Sequence, residues 1–332
     1  MAFVVDSADW NFNGRTSMQV QAVVECFLDQ VAKAAEQRQP VWIGEGLQTR
    51  AVWGEKDLWS LRDPESEVQL DAEVWQELAA HLGRAKYYLD EQDWPEGMDD
   101  IVMAIGDDGP SENEDVAWAH HNVRTGNAVA CIGLWRLGPF ETTSSHGKAQ
   151  VHWICDERST VEFWRSAIAI EGDGQAALLR FAHRAYPNLC FYPNVLSGAD
   201  RFNGGYYANA SELMRYLSAL SDHGAWVFTA PPPAETEKDA AGNGVGLPTS
   251  QLIQRRFELL GLVVAPENPD VYRDGRCRRA REVEFGGRVL YCEWHCKLQP
   301  HQNRIHIHAP VRESDDKVMI AIFAVHLPLP GN

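Results

Sequence analysis

The reading of this chain turns on Val289-Leu-Tyr-Cys-Glu-Trp-His-Cys-Lys-Leu-Gln299 and on the segment that follows, Asn303-Arg-Ile-His-Ile-His308. At the two-residue period of a β-strand, Tyr291, Glu293, His295 and Lys297 share one face, and Leu290, Cys292, Trp294, Cys296 and Leu298 the other. In the second segment Arg304, His306 and His308 alternate with Ile305 and Ile307 in the same way. A hairpin about Pro300-His301-Gln302 would bring the polar residues of both segments onto one sheet surface. One face reads as chemistry and the other as core.

Working outward, strands are expected at about 283–285, 288–298, 303–309 and 317–326, with Gly286-Gly287 as a turn. The last strand is apolar through Val318–Val325 and is expected to be central. A helix over 251–260 precedes them, carried by Leu252, Ile253, Phe257 and Leu260 and stopped by Gly261. Between helix and sheet lies a basic segment, Asp270–Arg281, which reads either as a solvated loop or as a phosphate-contacting arm through Arg276, Arg278 and Arg279. Upstream, Pro231-Pro-Pro233 and Ala240–Gly246 have linker composition. The expected organisation is therefore a mixed α/β domain over 1–230, a linker over 231–249, and a helix-plus-antiparallel-sheet domain over 250–332. The fold class is α+β.

In the first part, Phe3–Asp6 reads as a strand and Ser17–Arg38 as a helix. Further segments follow: a strand at Val41–Ile43, a helix over Asp71–Leu89, a strand at Ile101–Ile105, a helix over Val116–Arg124, and strands at Ala128–Leu134 and Ala149–Ile154. Helices are then expected at Thr160–Ile168, Gln175–Ala185 and Ala208–His223, with strands at Leu189–Tyr192 and Ala225–Phe228. Asp6 and Asp9 stand just past the first strand, where PIN-type nucleases carry metal ligands. No later acidic set completes such a site in the sequence, so turn and capping roles are expected for both. Gly106–Asp115 reads as a solvated acidic turn leading into a helix.

A chain of 332 residues with a 45% apolar fraction has the composition of a globular protein. The net charge of −17 is unevenly placed: residues 1–250 hold 18 Lys and Arg against 37 Asp and Glu, whereas residues 251–332 hold 12 against 10. Such acidity argues against a protein that coats long duplex nucleic acid, because that affinity comes from neutralising phosphates. The seven cysteines include no CxxC pair, which points to reduced, buried thiols. There is no run of eighteen apolar residues and no secretory N-terminal pattern, so a cytoplasmic protein without a membrane partner is expected.

A helix followed by a compact antiparallel sheet, with Arg304 in a short strand and an apolar terminal strand over Lys317–His326, resembles the RelE/HigB-like bacterial ribonuclease toxins. The resemblance covers about the last 80 residues and implies an RNA-cleaving effector of a bacterial defence or toxin-like system. Metal-independent RNA cleavage needs a base, an acid and cations for the phosphate. Glu293 or His306 can serve as base, His295 or His308 as acid, and Arg304 with Lys297 as the cations, with Tyr291 placed to contact a nucleobase. No cofactor is needed in that scheme. A competing expectation is a divalent transition metal held by His295, His306, His308 and Glu313, since His306-x-His308 followed by Glu313 has the spacing of the cupin metal motif. A third is a non-catalytic component that binds a protein partner through its acidic N-terminal part.

Overall fold

Phe3, Val4 and Val5 are buried without alternation, as are Val129–Ile132, and strands of that kind are covered on both faces of a parallel sheet. They lie at the centre of the first of two units, Met1–Gly172 and Asp173–Asn332, into which the computed structural model divides. The structure describes residues 2–63, 65–89, 94, 100–172, 174–230 and 248–331.

The first unit runs β1 (Ala2–Val5), α1 (Ser17–Glu36), β2 (Val41–Ile43), α2 (Gly46–Thr49), β3 (Ala51–Trp53), β4 (Lys56–Asp57), α3 (Ala72–Leu82) and β5 (Lys86–Tyr87). It continues with β6 (Val102–Ile105), β7 (Ser111–Glu112), α4 (Glu114–Arg124), β8 (Val129–Ile132), β9 (Gly138–Ser144), β10 (Gly147–Ile154) and α5 (Glu157–Ile170). Its main sheet has the order β5-β2-β1-β8-β10-β9-β6-β7. The first five strands in that order are mutually parallel, and β9 and β6 extend the sheet antiparallel. After β1 the chain winds out to one side through β2 and β5, then returns to build β8 and β10 on the other. The carboxyl ends of β1 and β8 therefore flank a topological switch point, where open α/β sheets form their crevice. Two departures from the sequence reading are local. The helix expected to Leu89 stops at Leu82, because Lys86 and Tyr87 leave it to pair with Trp42 and Ile43. The strand β9, a hairpin partner of β10, was not expected at all.

The second unit contains α6 (Gln175–Ala185), β11 (Leu189–Phe191), α7 (Gly205–Phe228), α8 (Ser250–Leu259), β12 (Val264–Pro266), α9 (Pro269–Arg273) and α10 (Gly275–Arg279). The hairpin β13 (Glu282–Phe285) and β14 (Arg288–Tyr291) follows, then β15 (Trp294–Gln299), β16 (Gln302–His308) and β17 (Val318–Ala324). The five-stranded sheet has the order β11-β17-β16-β15-β12, with the apolar β17 inside it as expected. Of the expected linker, 231–247 lie outside the described residues. The boundary between units falls well before it, at Gly172, because Leu189, Cys190 and Phe191 pair in parallel with Val318, Met319 and Ile320 and so belong to the C-terminal sheet. Residues 225–228, expected as a strand, are the last turn of α7. Gly224 is not a break there but a close approach: a Cβ on it would meet Val318 Cγ2 at 2.8 Å.

Packing settles the two faces of this sheet. On one, Trp294 meets Phe228 and Phe257, and Tyr216 of α7 donates to the Lys297 carbonyl at 2.9 Å while accepting from the Val263 amide at 3.0 Å. The other face carries the histidines, and it is roofed: Val283, Leu290 and Cys292 pack with Met319 and Ala321 in one buried cluster. Among the described residues no helix is long and apolar enough to cross a membrane.

Candidate functional site

The carboxyl edge of the first sheet gathers buried acids from distant parts of the chain. Asp6, at the end of β1, is fully buried and accepts from Asn113 Nδ2 at 3.0 Å, from the Ala8 amide at 3.1 Å and from Trp153 Nε1 at 2.7 Å. Asp115, in the first turn of α4, is also buried; it accepts from the Ser7 amide at 2.9 Å, from the Ser7 hydroxyl, and from Tyr88 Oη at 2.9 Å. Asn113 caps α4, accepting from the Val116 amide with its side-chain oxygen while its Nδ2 reaches Asp6. The loop after β8 wraps Asp9, whose Oδ2 takes the amides of Leu134, Trp135 and Arg136 at 2.6, 2.8 and 3.1 Å. Gly44, just past β2, completes the edge: a Cβ there would stand 2.5 Å from both Asp115 Oδ1 and Tyr88 Oη.

This edge is short of positive charge. Burial lifts Asp6 to about 6, against the bonds from Asn113 and Trp153 that favour its ionised form, and Asp115 and Asp9 add repulsion. Asp115 is raised by burial as well, with Glu114 contributing, and burial followed by the same acids pushes Tyr88 up. The guanidinium of Arg136 is 3.8 Å from Asp6 Oδ2, but it also pairs with Asp108 at 2.7 Å and lies over Trp153. An ionised carboxylate oxygen has two lone-pair directions, so Asp6 Oδ2 and Asp115 Oδ1, with one hydrogen bond each, retain capacity for a cation. An all-oxygen donor set of this kind suits magnesium or manganese. Asp6 caps the turn at Ser7–Asp9 and Asp9 holds the loop after β8, the turn and capping roles expected of them. Asp115, from 108 residues further on, meets Ser7 at the same edge.

In the second unit the register places His295 opposite His306 and Lys297 opposite Arg304, as the alternation predicted. Their ring centroids put His295 and His306 5.6 Å apart. The expected continuous strand over 288–298, however, breaks at Cys292-Glu293. Tyr291 is consequently in a different sheet, opposite Glu282 and against Tyr272, and burial pushes it up to about 12. Glu293 is exposed between the two strands. Arg304 is 8% exposed and donates to the carbonyls of Gln299 and Gln302, both at 2.9 Å, so it closes the hairpin. His306 is 2% exposed. His308 bonds the Ala309 carbonyl at 2.7 Å, and Glu313 pairs with Arg288 at 2.8 Å. Arg276, Arg278 and Arg279 are on the short helix α10, where Arg278 pairs with Glu282 at 3.2 Å.

What the fold does bring together is Glu267, His295 and His306, whose ligand atoms lie within 4.8 Å of one another. Ala265 is opposite His295, so Glu267, two residues on, reaches the same face just past β12. Its Oε1 is 3.1 Å from His295 Nδ1, 3.5 Å from His306 Nδ1 and 2.9 Å from Arg281 Nε. Hydrogen bonds from His295 and Arg281 overcome burial and hold Glu267 down to about 2, while burial depresses His306 to about 3. Of the expected metal set, His295 and His306 join this cluster; the carboxylate in it is Glu267, and Glu313 is engaged elsewhere. Both missed residues, Glu267 and Arg281, precede the alternating stretch, and only strand pairing reveals them.

No family model, no curated protein and no solved structure matches this chain.

Proposed function

We propose that the protein is an RNA-cleaving phosphodiesterase whose reaction centre is the acidic edge of the first unit. The observation that carries this is the pair Asp6 and Asp115, buried and under-compensated at the switch point of a parallel sheet. By analogy of placement alone, acids past the first strand serve as metal ligands in PIN-type nucleases. A bound magnesium or manganese would supply phosphate activation and a nucleophilic water. Asp6 and Asp115 would hold it, Ser7 and Tyr88 fix the Asp115 carboxylate, and Asn113 and Trp153 fix that of Asp6. The resemblance of the sequence pattern in about the last 80 residues to the RelE/HigB-like toxins supports RNA over other phosphate esters and, with it, a role in a bacterial defence or toxin-like system.

The test is cleavage of a fluorophore-quencher single-stranded RNA by the full chain with Mn2+ or Mg2+ and with EDTA. Metal-dependent cleavage that falls at least 100-fold in Asp6→Asn and Asp115→Asn, and persists in Arg304→Ala, is the expected result. EDTA-resistant cleavage lost in Arg304→Ala would return the chemistry to the histidine face. No cleavage in either condition would favour a protein-binding component acting through the acidic first unit.

A further inference from the structure

We infer that Glu267, His295 and His306 form a second and chemically different metal site, one that takes a single transition-metal ion of the zinc type. Three donors on two neighbouring strands and the end of a third converge within 4.8 Å, and the cross-strand pairing of His295 with His306 fixes two of them without any loop. The independent sign of a missing ligand is His306. It is 2% exposed, yet among the described residues neither of its ring nitrogens has a hydrogen-bond partner. Buried polar atoms are almost always satisfied, and a bound ion is one way to satisfy a buried imidazole beside a carboxylate.

The donor set decides the metal. Two imidazoles and one carboxylate match zinc and its neighbours, not the hard oxygen-loving ions expected at Asp6 and Asp115. Arg281 opposes a cation here, since its Nε is 2.9 Å from Glu267 Oε1, and Arg304 adds positive charge from further away. Its guanidinium is anchored independently, donating to the Cys277 and Pro328 carbonyls at 3.0 Å each. It therefore acts as the outer partner that orients the Glu267 carboxylate, as groups behind metal-ligating carboxylates commonly do. The site is enclosed beneath the β13–β14 hairpin, so its role is structural: it ties the end of β12 to β15 and β16.

The proposal is tested with the full chain stripped by chelator and titrated with Zn2+ against a chromophoric competitor, alongside Co2+ absorption spectra. We expect one tightly bound equivalent, d–d bands of nitrogen-ligated Co2+, and a rise in Tm on zinc addition. Affinity should drop at least 100-fold in His295→Ala and in His306→Ala, and stay within threefold in His301→Ala, which alters an exposed turn. His295 is the more accessible of the two, so His295→Ala keeps the test valid if His306→Ala fails to fold. Absence of a tight equivalent in the parent chain, or one that survives His295→Ala within threefold, overturns the proposal. Asp6→Asn should leave this zinc equivalent untouched, so failure here is separable from failure of the nuclease reading.

Discussion

At the end of β1, Asp6 and Asp115 are buried with the Arg136 guanidinium 3.8 Å from Asp6, and both carboxyls are pushed up. At the end of β12, Glu267 is nearly as buried, but Arg281 touches it at 2.9 Å and it is held down to about 2. The contrast shows how little separates a strained carboxylate from a settled one. Desolvation is large in both places; a guanidinium within direct hydrogen-bond reach, together with His295, reverses the outcome, and one at Coulomb range does not. Each cluster is incomplete in its own way. The first lacks positive charge and offers oxygens. The second has its charge balanced, and what it lacks is a partner for neutral imidazole nitrogen.

The largest effect should come from breaking the settled cluster. Glu267→Gln leaves Arg281 2% exposed with no anionic partner in the cluster, and loss of one member of a buried pair typically costs about 3–5 kcal/mol. Urea denaturation of the metal-free protein measures it. A loss under about 1 kcal/mol would mean the backbone carbonyls of Cys277 and Pro328 suffice for Arg281, and the contrast between the clusters would collapse.

Asp6→Asn should act in the opposite direction and depend on pH. In the folded chain Asp6 keeps its proton up to about 6, whereas unfolded it releases it near 3.8. Between those values the folded state binds more protons, so its stability falls as pH rises, and the penalty is complete above about 6. Removing the carboxylate should therefore favour the variant over its parent by on the order of 3 kcal/mol more at pH 8 than at pH 4, measured in EDTA. His120 and His152, both depressed to about 4 by burial, destabilise the fold on acidification but are common to both proteins and cancel. A difference that does not change with pH would show that Asp6 is already compensated.

These two clusters also show what a sequence exposes and what it hides. The alternation around His295 and His306 was legible because strand period and hairpin pairing are local, and the observed register agrees with it. What roofed that face was not, since nothing in the spacing says that Val283 and Leu290 would fold over Met319 and Ala321. The break at Cys292-Glu293 was hidden for a related reason: the apolar period runs on through it, while the pairing partner changes from β13 to β12 and β16. At the edge of the first sheet, Asp115 closes a stretch, Gly106–Asp115, whose composition reads as a solvated turn. Ser7 and Asp115 are 108 residues apart, and no short-range pattern announces a contact of that kind. Gly44 and Gly224 are hidden in the same way, since nothing in the local sequence marks them as points of close approach in the fold.

Gly44→Ala probes the crowding of the acidic edge without altering its charge. The new methyl would meet Asp115 Oδ1 and Tyr88 Oη at 2.5 Å, and overpacking of this order costs about 2 kcal/mol. It should also displace Asp115 and lower the metal-dependent cleavage proposed above. Gly46→Ala is the matched control, since its Cβ would sit 3.6 Å from Ser7 Oγ, an ordinary contact. Equal behaviour of the two variants would remove Gly44 from the site.

The smallest and most discriminating change is at Asn113, which does two things with one side chain. Its Oδ1 caps α4 by accepting from Val116, and its Nδ2 donates to Asp6. Serine retains a capping oxygen but is too short to offer the second bond, so Asn113→Ser should cost about 1 kcal/mol, most of it through Asp6. Because that bond favours the ionised carboxylate, losing it lifts Asp6 further, and the cost of the variant should grow as pH rises through the titration of Asp6. A cost that is the same at pH 4 and pH 8 would make Asn113 a helix cap alone, and the carboxylate of Asp6 would then owe its ionisation to Trp153.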